Sequence, residues 1–395
     1  MVRSRLPFVG ACAAILVFGI VLAILGAVFG LPEMRLRLQV NLAQEGDLFL
    51  LLYLGIFCAS LAVGPLIDYL GNKVNLVVSS AMVAAAMVFF AAAQSFAVGA
   101  VAAVLLGLGG GGLNTCANVL VSDLYGDQRG PMLNRLGIFF GIGALCVPLL
   151  AASIQGHFTV PQLFLFCAVL AAVCAFGCSS VPFPPAQVTD TFLFRDALKV
   201  ARYEGIFLLG FILFLQSGDE ACIGGWTSTY VNSTGYSPHT ATLVLSAYWA
   251  ALMLSRMLAA PVLSALGKSQ VVLTSALIAL AGCAILLWAR SLVLLFAGTA
   301  LIGLSYGPIF PTTLAIAGDR YSRRAGTAFG MLFSIALVGG MLSPWAVGQV
   351  SQRVSLHAGM IVPGLGATGI SLLSAFVMRR ERQVEPESKP GEVRC

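Results

Sequence analysis

The sequence predicts an all-α membrane protein: twelve transmembrane helices in two six-helix bundles, with both termini cytoplasmic. Three observations predict it. The 395 residues are 59% hydrophobic and only 10% charged, with a mean hydropathy of +0.94, which no soluble core matches. The apolar residues fall into runs of the roughly 20 residues needed to cross about 30 Å of hydrocarbon. The second half of the chain also repeats the first.

The runs follow in order. Residues 7–30 carry no charge and are too long for the apolar core of a cleaved signal peptide, so they are expected to remain as the first span. Residues 48–70 and 74–92 are parted only by the short turn Gly71, Asn72, Lys73. Residues 98–121 hold Gly109 to Gly112, whose glycines suit close helix packing; without a following Lys-Ser/Thr they are no phosphate loop. Residues 136–152 and 163–181 complete the first half. A polar stretch, 182–204, reads as a cytoplasmic connector between bundles 1–181 and 205–395. The second half supplies 205–230, 240–266, 271–289, 292–317, 325–350 and 356–378, before a short tail.

Lys and Arg set the orientation. With the N-terminus inside, the cytoplasmic side receives Arg3, Arg5, Lys73, Arg129, Arg135, Arg195, Lys199, Arg202, Lys268, Arg320, Arg323, Arg324, Arg379, Arg380 and Arg382. The outside receives only Arg35, Arg37, Arg290 and Arg353. The net charge of +6 therefore reports topology, and nucleic acid is not an expected partner. All cysteines but Cys395 sit in spans as small hydrophobes, with no metal site expected. Asn232-Ser233-Thr234 matches a glycosylation sequon, a triplet common by chance.

The duplication runs at an offset of 196 residues. It pairs Pro65 with Pro261, Gly71 with Gly267, Gly107 with Gly303, Gly111 with Gly307, Asp123 with Asp319, Gly143 with Gly339 and Pro148 with Pro344. Two parallel six-helix repeats are the architecture of carriers that alternate access to a midplane site. No Walker motif, metal-ligand cluster or nucleophile triad points to a pump or enzyme.

"GPLIDYLGNK", residues 64–73, resembles the loop signature of the major facilitator superfamily, Gly-x-x-x-Asp-x-x-Gly-x-Lys/Arg. The resemblance implies the major facilitator fold and a conformational latch of Gly64, Asp68, Gly71, Lys73, Arg129 and Arg135. Its repeat counterpart for Asp68 is Ser264, so the latch is expected on one side. "LNTCANVLVSDL" at 113–124, "RLGIFFGIGALCVPLL" at 135–150, "LFLQSGDEACIGGW" at 213–226 and "GLSYGPIFPTTLA" at 303–315 resemble the fucose:proton symporter branch. That branch carries an acid where Asn114 stands here, and the first span has none, so its usual proton residues do not carry over. The drug-antiporter patterns are also missing: no Arg-x-x-Gln-Gly runs through the fourth span, and no Gly precedes Pro148.

Asp219 and Glu220 are the acids expected deep in a span, with Arg256 as the single deep base. Adjacent residues point about 100° apart on a helix, so the two acids face different surroundings. The resemblance assigns Glu220 to the cavity and leaves Asp219 toward a neighbouring helix. Arg256 lies about 15 Å, and Glu220 about 24 Å, from the cytoplasmic ends of their spans, so an ion pair asks long side chains to close a gap in depth. Asp219, Glu220 and Arg256 are the expected ion-coupling set. Either a proton on a carboxyl or Na⁺ among hard oxygens would serve, and no resident cofactor is expected.

Asn114 and Asn118, at i and i+4, join Gln216, Glu220, Trp226 and Tyr306 as the expected substrate-binding residues. Tyr230, Tyr248 and Trp249 are further candidates for the cavity wall. Amides hydrogen-bond hydroxyl groups in both directions and aromatic rings stack on sugar C–H faces. Cation-coupled uptake of a neutral sugar is therefore the expected function. Proton-coupled export of amphipathic drugs, lipids or metabolites is the alternative, and a non-transporting receptor a third class. The expected protein is a monomer, multi-pass in a bacterial inner membrane, with the lipid bilayer and a small-molecule substrate as partners.

Overall fold

The computed structural model describes residues 5–153, 159–184, 204–321 and 325–384. Most of the expected connector 182–204, with Arg195, Lys199 and Arg202, lies outside the described residues. The helices are α1 (Arg5–Phe29), α2 (Pro32–Leu38), α3 (Leu42–Ala92), α4 (Phe96–Tyr125), α5 (Arg129–Ser153), α6 (Val160–Ser180), α7 (Glu204–Ser233), α8 (Pro238–Leu266), α9 (Lys268–Trp288), α10 (Leu292–Arg320), α11 (Ala325–Arg353), α12 (Leu356–Gly359) and α13 (Ile361–Val384). Eleven are long and apolar enough to cross a membrane. The 51-residue α3 is two spans joined at Gly71, which leaves helical geometry with φ 77° and ψ 164°, so the described residues hold twelve spans.

Apolar residues clothe the outside as well as the core. On α6, Phe166, Val169, Val173 and Phe176 are exposed while Phe164, Cys167, Ala171 and Cys174 are buried. A helix apolar all round belongs in lipid.

The repeat is visible in backbone contacts. A Cβ on Gly107 would strike the Leu52 carbonyl, and one on Gly303 would strike that of Tyr248. Gly111 packs on Ile56 and Ala59, and Gly307 on Leu252 and Ser255. Every one of these partners is 196 residues from its mate. Gly267 repeats the backbone of Gly71, with φ 78° and ψ 157°, a left-handed region that favours glycine. The first helix of each half departs from that spacing. α1 and α7 cross where Gly26 meets Gly224, and Gly143 and Gly339 press on Leu16 and Phe214; both pairs give an offset of 198. The duplication is therefore ungapped only from the second helix of each half onward.

The α2 end of the molecule corrects the expected start of the second span. Asn41 and Gln44 form a reciprocal capping box, with Asn41 Oδ1 accepting from Gln44 N at 3.0 Å and Gln44 Oε1 from Asn41 N at 3.1 Å. α3 therefore begins at Leu42 and not at residue 48, and carries Glu45 inside. Glu45 is fully buried, so Asp219 and Glu220 are not the only acids in the interior. α2 folds back over it, and Arg37 caps the far end of α3 by donating to the Ala91 carbonyl at 2.9 Å.

The halves are sewn together at this end. Arg35 Nε donates to Glu45 Oε2 at 2.8 Å and Arg35 Nη2 to Thr229 Oγ1 of the other half at 3.0 Å, while Thr229 Oγ1 donates to Glu45 Oε1 at 3.2 Å. Trp345 Nε1 donates to Asp47 Oδ1 at 3.0 Å, and the Gly46 and Gly348 backbones touch.

Candidate transport site

Halfway along α7, the two acids diverge as helix geometry requires. Glu220 turns to the seam between the halves. Its Oε1 lies 3.1 Å from Arg256 Nη2 of α8, and the two side chains keep 16% and 31% of their exposure. Gln216, one turn earlier, donates Nε2 to Glu220 Oε2 at 2.8 Å. The Arg256 guanidinium sits 5.2 Å from the centroid of the Phe140 ring, a cation–π contact with α5 of the first half. The gap in depth between Arg256 and Glu220 is thus closed.

Asp219 turns the other way. It is 2% exposed, accepts from Tyr306 Oη of α10 at 3.1 Å, and rests on the α13 backbone at Gly366. Tyr306 is fully buried on that acid and does not line the seam in this conformation. Trp226 is also fully buried: its Nε1 donates to the Pro344 carbonyl at 3.0 Å and its ring packs on Phe49 of the first half. Both aromatics are engaged in packing here. Tyr230 Oη meets His357 Nδ1 at 3.1 Å, and Tyr248 Oη donates to the Glu220 carbonyl at 3.4 Å.

Asn118 Nδ2 donates to the Asn114 side-chain oxygen at 3.0 Å, so the two amides share one face of α4. Among the described residues no hydrogen bond joins them to Glu220. Two polar atoms near Glu220 are buried without a partner: Gln216 Oε1 and Trp249 Nε1. The Trp249 indole packs on Phe140 and Tyr248, with ring centroids 6.1 and 5.1 Å away. The first half also contributes Tyr53 and Phe140 to this wall, neither of them among the expected site residues; Tyr53 lies against Gly340 and within electrostatic reach of Glu220. Phe140 stands inside the stretch 135–150 that resembles the symporter branch, whereas Tyr53 has no signal beyond being aromatic in an apolar run.

The expected latch residues sit at the opposite end from α2. Asn75 Nδ2 donates to the Gly71 and Leu66 carbonyls at 2.8 and 3.1 Å, fastening the broken helix. Asp68 and Lys73 are half-buried on either side of that break, and Asp123 of α4 lies within electrostatic reach of Asp68. Arg129 and Arg135 are exposed, Arg135 Nη1 lying 3.8 Å from Met132 Sδ, and Gly64 faces open space.

Residues 11–215 and 209–394 match the family described as Major Facilitator Superfamily. The chain belongs to the Major Facilitator Superfamily. An uncharacterised transporter of Sinorhizobium fredii, y4wD, is 24% identical over 382 residues, covering 95% of this chain and 99% of its own. The rat sodium-dependent glucose transporter 1 is 32% identical over 158 residues, 38% of this chain and 32% of that protein. Among solved structures, a mutant of the nucleoside transporter NupG and the D-xylose-proton symporter both superpose with TM-score 0.79, at 15% and 11% identity. These cover 95% of this chain and 99% and 97% of theirs. The E. coli fucose:proton symporter FucP superposes with TM-score 0.66 at 17% identity, covering 95% and 99%. Those three likenesses concern the fold.

Proposed function

We propose that this transporter takes up a neutral sugar, or a similar polyhydroxylated solute, by alternating access coupled to a cation. The observation that carries the reading is the Glu220 cluster at the seam. A carboxylate, a guanidinium and an amide converge beside aromatic rings from both halves, and Gln216 Oε1 and Trp249 Nε1 stand buried without partners. Buried polar atoms without partners are uncommon, and a hydroxylated guest supplies a donor to the one and an acceptor to the other. Asn114 and Asn118 offer further amides from the first half. Trp226 and Tyr306 join the guest when the halves rearrange.

The pairing of Glu220 with Arg256 leaves little net charge facing the guest, which suits a neutral solute over a phosphorylated one. Asp219, Glu220 and Arg256 form the coupling set, for proton or Na⁺. Relatives named for sodium-dependent glucose transport, and fold neighbours named as proton symporters, support the sugar class and leave both ions in play. The reading places both termini in the cytoplasm of a bacterial cell, in a monomer. The sealed α2 end then faces outward and this conformation faces inward, with Gly64, Asp68, Gly71, Lys73, Arg129 and Arg135 as the latch of the outward-facing state.

The test is uptake into proteoliposomes of radiolabelled neutral hexoses, deoxyhexoses and pentoses, under separately imposed proton and sodium gradients. Accumulation of one sugar under one gradient, abolished by Glu220→Gln, is the expected outcome. No accumulation under either gradient overturns the sugar reading and turns attention to export of amphipathic cargo.

A further inference from the structure

Asp219 has no place in the seam. Its carboxyl is enclosed by α9, α10 and α13, behind the helix face that presents Glu220. We propose that Asp219, seated on Tyr306, carries the coupling proton, while the Glu220–Arg256 pair stays charged and serves the cargo. This rests on the coupled-transport reading and names its ion and its residue.

Counting donors supports the assignment. An ionised carboxylate offers about four acceptor sites. Asp219 has one donor, Tyr306 Oη, and its other oxygen lies on the Gly366 backbone where even a Cβ would collide with it. The titratable groups facing it are Tyr306 from α10, Cys283 from α9, Tyr248 from α8 and Cys222 from its own helix; α13 presents backbone. None is a cation, and none of the ion pairs among the described residues includes Asp219. An ionised acid so enclosed is prohibitively costly, so the group holds a proton in this conformation. Glu220, with a guanidinium and an amide on its oxygens and solvent beside it, is provided for as an anion.

The same neighbours favour a proton over Na⁺. A hard cation asks for several oxygen ligands, and beyond Asp219 and Tyr306 the side chains facing the seat are the Cys222 and Cys283 thiols and the Tyr248 phenol. The seat is also built to open. Tyr306 lies just before Pro308 and Pro311 on α10, and those prolines leave the Leu304 and Gly307 carbonyls without their helical donors. Bending there withdraws Tyr306 and admits water. One O–H bond on Asp219 then breaks, its proton passing to that water; on the return, water from the opposite side supplies a proton and the bond re-forms.

Two measurements test it. In reconstituted protein at neutral pH, infrared spectra should show the carbonyl stretch of a protonated carboxylic acid that Asp219→Asn removes and that Glu220→Gln and Glu45→Gln leave in place. In proteoliposomes, Asp219→Asn should exchange internal for external sugar as the wild type does but lose gradient-driven accumulation. Tyr306→Phe, which removes the hydrogen bond to Asp219, should weaken accumulation. A protonated-acid band unaffected by Asp219→Asn, accumulation by Asp219→Asn at the wild-type level, or accumulation driven by sodium alone overturns the proposal. If the wild type moves no sugar at all, the cargo reading fails by itself. The infrared result then decides the Asp219 proton, its presence upholding the site and its absence removing it.

Discussion

The two halves of this molecule share a scaffold and differ in chemistry. Where Asp219 meets Tyr306 in the second half, the equivalent contact in the first is Val21 against Gly110. The slipped register of the first helices pairs Glu220 with Leu22, and Arg256 of the second helices pairs with Ser60. Conversely, Asn114 and Asn118 of the first half stand where the second has Phe310 and Leu314. Gly71, Gly107 and Gly111 did not diverge in this way, their equivalents Gly267, Gly303 and Gly307 also being glycine. Gly107 and Gly303, like Gly71 and Gly267, are retained because a Cβ has no room at the first pair and the wrong backbone at the second. Packing constrains both halves at these glycines, whereas the charges of the proposed coupling set occur in one half only.

The largest effect comes from copying the first half into the second at the charge pair. Arg256→Ser leaves Glu220 beside Gln216 with no countercharge, and Glu220→Leu strands the guanidinium. Each single change is expected to cost about 3 kcal/mol, at the low end for breaking a buried pair because both side chains retain some solvent. The double change should recover most of that stability, since it rebuilds the Leu22–Ser60 arrangement, and yet abolish coupled uptake. Melting temperatures in detergent beside uptake separate the two. If the double variant melts as low as the worse single, the pair is not the unit that the comparison makes it.

A smaller effect tests whether packing really is shared. Gly107→Ala and Gly303→Ala each drive a methyl into a carbonyl of the neighbouring helix, at Leu52 and Tyr248 respectively. Each should cost about 1–3 kcal/mol, and the two costs should agree closely because the contacts are equivalent. A large disparity in melting temperature would show that one half tolerates helix separation that the other does not.

How far the sequence foretold all this depends on the kind of interaction. Twelve spans were legible because a bilayer imposes a length on every run, and the repeat was legible because glycines such as Gly71, Gly107 and Gly111 recur at the 196-residue offset. The separation of Asp219 from Glu220 followed from helix geometry alone. Glu45 was missed because an apolar run reports where lipid begins, not where a helix begins; the Asn41 to Gln44 capping box was the signal available. Arg35, ten residues earlier, could then be brought back onto Glu45 only by the turn that α2 makes. Tyr53 and Phe140 were not singled out for a different reason. They reach the site across the seam, and periodicity within a helix says which residues share a face but not what that face meets. Trp226 and Tyr306 were expected at the cavity wall, and in this conformation the Pro344 carbonyl and Asp219 occupy their polar atoms.

The smallest effect concerns a turn at which the first half is the more elaborate. Both halves break a helix with a glycine of nearly the same φ, yet Gly71 is fastened by Asn75 and the residue equivalent to Asn75 is Val271. Asn75→Val therefore imports the simpler design. It removes two hydrogen bonds to carbonyls that solvent can partly satisfy, so a loss of about 1 kcal/mol is expected. The second half shows that the turn forms without the amide. What the amide adds is a fixed position for Asp68 and Lys73, which flank the turn. The variant should accordingly fold, bind cargo with unchanged affinity and transport more slowly. A fall in cargo affinity with an unchanged rate would mean that Asn75 supports the site and not the turn.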